Sequence, residues 1–126
     1  MDLKLPLTKK WFDKTKKGIK PEDYRAITAY WCKRMLTVTE GGVFNWDSFF
    51  TKEVDAVKLV QVGLANNFFS IKKYQSNIMT LGYPKSTDTE RIIKLEHKGI
   101  EIRTGKPEWG AEPEKIYLVV MHGKIY

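Results

Sequence analysis

The chain of 126 residues is 42% hydrophobic and 13% aromatic, enough apolar area for one packed interior and too little length for two. A single domain spanning 1–126 is therefore expected, and wholesale disorder is excluded. Lysine and arginine number 22 against 15 acids, a net charge of +7, so polyanions are the first partners to consider. A single cysteine, Cys32, excludes an internal disulfide, and His97 with His122 matches no metal-ligand spacing. No run approaches the roughly 18 apolar residues of a membrane span, and the start of the chain lacks the apolar core of a signal peptide. No metal, no other cofactor and no membrane is expected, and the cytoplasm is the expected location.

Residues 3–8 alternate apolar and polar with the period of a half-buried strand, and Pro6, lacking an N–H, limits that strand to a sheet edge or an end. Thr8 is placed to cap a short helix over 9–17, with Trp11, Phe12 and Thr15 on one face, lysines on the other and Gly18 just past the end. Residues 21–35 carry two signals. Pro21-Glu22-Asp23 opens like a helix, and Tyr24, Ile27, Trp31 and Met35 recur at helical intervals, yet 20–25 run equally well extended. A helix is expected in the second half. A turn over 40–46 and a helical turn within 47–53, around Phe49 and Phe50, come next.

The β-branched run 55–62, ending at Gly63, predicts a strand, and 64–90, two apolar fragments between turn residues, reads in part as a long loop or hairpin excursion. Residues 91–98 and 99–103 read as strand broken by a bulge or bend at Gly99. A Gly-Lys-Pro-Glu-Trp-Gly turn over 105–110 precedes a strong strand at 115–122. There is no internal repeat and no phosphate-binding glycine loop. The order of elements predicts an α+β domain built on a small mixed sheet or barrel.

The positive charge is not spread evenly. Residues 1–40 hold 10 basic and 5 acidic side chains, and within 9–20 six lysines face Asp13 alone. Such a patch attracts polyanions by counterion release, although a solvated helix face has the same composition. Lys20 and Arg25, two cations with an acid between them, suit a phosphate or an oxygen that gains negative charge. They suit equally a local salt bridge in which Asp23 and Glu22 neutralise them.

The segment Gly18-Ile19-Lys20-Pro21-Glu22-Asp23-Tyr24-Arg25 resembles the Gly-x-Lys-x-x-(Glu or Thr)-x-Arg signature of the ASCH domain family, within the PUA-like superfamily of small β-barrels. The stretch 3–12, the helix expected at 29–35 and the turn 106–113 are similar to the elements that accompany this signature in bacterial and phage members. The resemblance covers roughly the first 35 and last 30 residues and leaves 36–90 unaligned. It implies a PUA-like mixed barrel with N-terminal helices and a basic cleft that takes RNA or a nucleotide. In some members it implies a small RNA-directed hydrolase, either a ribonuclease or an acetylcytidine-type amidohydrolase.

In the hydrolase version, Lys20, Asp23 and Arg25 are the catalytic candidates. Asp23 stands where the amidohydrolase-like members have threonine, which replaces a hydroxyl nucleophile with general-base, orienting or carboxylate-nucleophile chemistry. Glu96, Glu101 and Glu108 all remain open for the third position. In the binding version, the contacts expected are Lys17, Lys20, Tyr24, Arg25, Trp31, Lys72, Lys73 and Trp109.

Trp11, Tyr30 and the aromatic-lysine stretch 67–74 are further stacking candidates, although interior packing is the first reading for Trp11 and Trp31. Cys32 reads as a buried hydrophobe, and both histidines read as satisfied strand residues. A third reading is an accessory protein that binds another protein through the region around 64–86.

Overall fold

The alternation in the first residues buries Leu3 and Leu5 and turns Lys4 outward, forming β1 (Asp2–Leu7). The computed structural model describes residues 1–51 and 53–126; position 52, within the helical turn expected over 47–53, lies outside them. Thr8 is extended and leads into α1 (Lys9–Lys16), which buries Phe12 and Thr15 and leaves most of its lysines outward. Gly18, at φ +75°, turns the chain back while the Ile19 and Lys20 amides donate to the Lys14 carbonyl.

Of the two conformations open to 20–25, the extended one is taken: β2 spans Glu22–Arg25. The helix follows as α2 (Ala29–Met35), capped where the Thr28 side chain accepts from the Trp31 amide at 3.3 Å. It buries Cys32 and Met35. Then come β3 (Leu36–Val38), α3 (Trp46–Phe49), α4 (Ala56–Ala65), β4 (Phe69–Ile71), β5 (Ser76–Leu81), β6 (Ile92–Thr104) and β7 (Ile116–Ile125).

Two expectations are corrected. The strand predicted at 55–62 is the helix α4, capped by Asp55, whose carboxylate accepts from the Lys58 amide at 3.2 Å. Its inward residues, Val60, Gly63 and Leu64, follow helical spacing, a pattern that a short β-branched run conceals. Gly63 ends no strand. A Cβ there would stand 2.3 Å from the Phe69 ring, so its bareness lets β4 close on α4. The stretch 64–90, read only in part as loop or hairpin and otherwise unassigned, contains β4 and the interior strand β5, whose buried residues include Ser76 and Asn77 beside Met79. Those two polar residues mask the alternation.

Five strands form one curled sheet in the order β1-β5-β6-β7-β2, and β3 pairs with β4 separately. β1 runs parallel to β5, with Leu3 opposite Asn77 and Pro6 opposite Thr80; the remaining pairs are antiparallel. Pro6 does lie on an edge strand, as its missing N–H requires. β6 is continuous through Gly99, with register shifts at His97 and Gly99 where the bulge was expected.

The main core joins one face of the sheet to α2, α3 and α4 through Leu5, Met35, Trp46, Val60, Phe69, Leu118 and Val120. A smaller cluster of Ala111, Tyr117 and Val119 covers the other face of β7. Burial on both sides accounts for the unbroken apolar run from Ile116 to Met121. The fold is therefore mixed α+β around a curled, five-stranded half-barrel.

Candidate functional site

β1 and β2 are the two ends of the sheet order, and a single side chain spans them. Arg25 on β2 donates from Nη2 to the Pro6 carbonyl on β1 at 2.8 Å and from Nε to Asp23 Oδ2 at 2.6 Å. The other Asp23 oxygen, Oδ1, accepts from Lys20 Nζ at 3.0 Å. Lys20 and Asp23 are 4% and 2% exposed, so the cluster is a desolvated ion trio with one surplus positive charge. Burial alone would raise the Asp23 pKa, but the charges and hydrogen bonds of Arg25 and Lys20 outweigh it and hold the carboxyl below its ordinary value.

The trio forms the floor of a cleft of about 220 Å³ at the end of β1, lined also by Trp11, Tyr24 and Trp109. The 105–110 turn shapes its rim. The Lys106 amide donates to the Tyr24 hydroxyl at 3.0 Å, and that hydroxyl donates to Glu22 Oε1 at 2.8 Å. Burial and the adjacent Glu22 push the Tyr24 pKa up to about 12. Glu22 is held by Arg103, so Tyr24 is fixed through a partner outside the cleft. Gly110, at φ +101°, lies so close to Trp11 that a Cβ would be 2.9 Å from its ring. Lysines crowd the aromatic walls: Lys10, Lys14 and Lys20 stand 4.7, 5.1 and 5.4 Å from the Trp11 ring centre, and Lys106 is 4.6 Å from that of Trp109.

Of the residues expected at the site, Lys20, Asp23, Tyr24, Arg25 and Trp109 line this one cleft. The others do not. Lys17 is exposed at the end of α1, and Trp31 lies behind the site, with the Arg25 guanidinium 4.8 Å from its ring centre. Lys72 donates to the Lys33 carbonyl at 3.0 Å, and neither it nor Lys73 lines the cleft. Trp11, which composition assigned first to the interior, is half-buried and forms a wall. Glu96 and Glu101 are paired with Lys98 and Arg103, and Glu108 points to no cleft partner; among the described residues Asp23 is the one carboxylate in the lining.

A polar chain that sequence reasoning missed runs across the sheet near the trio. Asn77 Nδ2 lies 3.4 Å from the Met121 carbonyl, an acceptor only, which orients the amide. The same Nδ2 faces His122 Nδ1 at 2.7 Å, and Asn77 Oδ1 faces His97 Nδ1 at 2.7 Å. His97 therefore donates from Nδ1, whereas His122 accepts at Nδ1 and carries its proton on Nε2, a buried atom without a hydrogen-bond partner among the described residues. Burial pushes the His122 pKa down to about 4, assisted by the positive charges of Lys20 and Arg25 and opposed by Asp23. Both histidines lie in strands as expected, but His122 is only half satisfied. Cys32 is buried and its thiol is pushed up to about 12, in keeping with a packing role.

The chemistry follows from the donors left over. Lys20 uses one of its three N–H groups on Asp23, and Arg25 uses two of five on Asp23 and Pro6, so both retain donors for an incoming anion or carbonyl oxygen. Asp23 has both oxygens engaged and a lowered proton affinity, which fits it to anchor the cations. No group of three or more His, Cys, Asp or Glu side chains converges on a metal-sized site among the described residues, and no described helix is long and apolar enough to cross a membrane. Comparisons with protein-family models, curated proteins and solved structures return no match to this chain.

Proposed function

We propose that the chain binds nucleic acid, RNA in the first instance, by seating a nucleotide unit in the Lys20–Asp23–Arg25 cleft. The observation that carries this reading is a positively charged, desolvated floor set between aromatic walls, with unused Lys and Arg donors for an anionic or carbonyl oxygen and rings for a base. The resemblance of 18–25 to the ASCH signature supports the same reading, as does the convergence of its Lys20, Asp23 and Arg25 in one cleft, and a PUA-like assignment belongs to this proposal. Binding is preferred to hydrolysis because the two cations that fix Asp23 also weaken it as a proton acceptor.

The test is fluorescence anisotropy of a labelled single-stranded RNA hexamer across a salt series. It compares the parent chain with Trp109→Ala and with a Lys10→Ala, Lys106→Ala double variant. Affinity is expected to fall with salt, with a shallower slope for the lysine variant and about tenfold weaker binding for Trp109→Ala. Absence of binding at low salt, or identical curves for all three proteins, overturns the reading.

A further inference from the structure

A second groove, of about 520 Å³, lies on the outer face of β1, β5 and β6. The pairings of Pro6 with Thr80, Thr80 with Ile92, and Lys4 with Ile78 place these residues in adjacent rows on one face, opposite to that of buried Leu3 and Leu5. They form the floor. One wall is α2, through Tyr30 and Arg34; the other is the segment after β5, where Tyr83 is 92% exposed.

Two observations connect this groove to the cleft, and a third sets its charge. Pro6 lines both, so they meet at the residue whose carbonyl Arg25 holds. A series of ring contacts also joins the two: Arg25 is 4.8 Å from the Trp31 ring centre, Trp31 meets Tyr30 edge-on at 4.9 Å, and Arg34 lies 3.4 Å from the Tyr30 ring centre. Finally, the groove's charge is of one sign. Lys4 and Arg34 line it, no carboxylate does, and neither cation pairs with a carboxylate among the described residues.

We propose that this groove is a second subsite, holding the nucleotides next to the one in the cleft, so that the ligand is a single-stranded oligonucleotide and not a free nucleotide. The inference rests on the nucleotide reading of the cleft and specifies its substrate class. Tyr83 offers its exposed ring to a base, while Lys4 and Arg34, the latter over one face of Tyr30, provide counter-charges for the phosphates. A duplex keeps its bases paired and stacked inside, so it cannot offer them to these rings. An acidic or aromatic peptide is the competing occupant, and continuity with the cleft decides against it.

The test measures binding of cytidine monophosphate, a dinucleotide and a labelled RNA hexamer to the parent chain, to Tyr83→Ala and to Arg34→Gln. Tyr83 is almost fully exposed, so its removal leaves the fold intact. Affinity is expected to rise at least about tenfold from mononucleotide to hexamer, and each variant to forfeit about tenfold for the hexamer while leaving the mononucleotide unchanged. Equal affinity for mononucleotide and hexamer overturns the second subsite and leaves the cleft reading standing. Hexamer binding that ignores both variants assigns the groove to another occupant, a peptide among them, and also overturns it. Failure of every ligand to bind overturns both readings together.

Discussion

Arg25 and Pro6 stand on opposite edge strands, and the guanidinium of the first donates to the backbone carbonyl of the second at 2.8 Å. The contact brings the two ends of the sheet together. Arginine reaches Asp23 and Pro6 from two separate nitrogens, whereas a lysine donates all its N–H groups from one, so it does not reproduce this bridge. Arg25→Lys is therefore expected to lower stability by about 1–3 kcal/mol in urea unfolding. A change within about 0.5 kcal/mol, the range typical of surface substitutions, would show that the seam does not depend on this bond.

The Lys20–Asp23 pair is buried, so removal of one member leaves the other charged and desolvated. Asp23→Asn or Lys20→Met is expected to cost about 3–5 kcal/mol. The combined Lys20→Met, Asp23→Asn variant should cost clearly less than the two single losses together, since no buried ammonium is stranded. Urea denaturation of the four proteins completes the cycle, and strict additivity would rule out direct coupling.

His122 sets a pH dependence of definite sign. Its folded pKa is depressed from 6.5 to about 4, so between these values the unfolded chain binds the proton more readily than the folded one. Stability is then fully present above pH 6.5 and is lost as the pH falls toward 4, by about 3 kcal/mol at about 1.4 kcal/mol per pH unit. The carboxyl of Asp23, held below 3.8, adds its own loss at still lower pH. Thermal melts from pH 7 to 4 should show the decline in the parent chain and a flatter profile in His122→Phe; parallel profiles would refute the assignment.

Gly110 couples backbone conformation to the cleft wall. Its φ of +101° disfavours any side chain, and a Cβ would collide with the Trp11 ring. Gly110→Ala is expected to destabilise the fold by at least about 1 kcal/mol and to weaken RNA binding, with a change in tryptophan emission as Trp11 moves. Gly42→Ala, at a comparable positive φ but with open space around the added carbon, separates the two effects: it should lose stability and keep its binding.

Local signals were legible where one element decides its own structure. Pro6 placed β1 at an edge, the helical spacing of Ile27, Trp31 and Met35 marked α2, and Gly99 marked a register shift. They were illegible where partners decide. The run at 55–62 became helical because Asp55 caps it and Gly63 admits Phe69, neither of which is visible as periodicity. β5 was hidden because Ser76 and Asn77 are polar and buried, Asn77 being satisfied by histidines 20 and 45 positions away. The same logic holds for the site. Lys20, Asp23 and Arg25 are near neighbours in sequence and were found together, whereas Trp11 and Trp109 face one cleft only because the 105–110 turn returns to α1.

β2 has one hydrogen-bonded neighbour in the sheet, β7, and its Asp23 pairs opposite Val120. During synthesis β2 is made before β7 and waits for that strand before its backbone has a sheet partner. Long-range pairings of this kind close slowly, on the millisecond-to-second scale typical of non-local topologies. The cleft, with β2 in its floor, is therefore complete only once β7 has paired with that strand, whereas the lysine-rich helix rests on local hydrogen bonds.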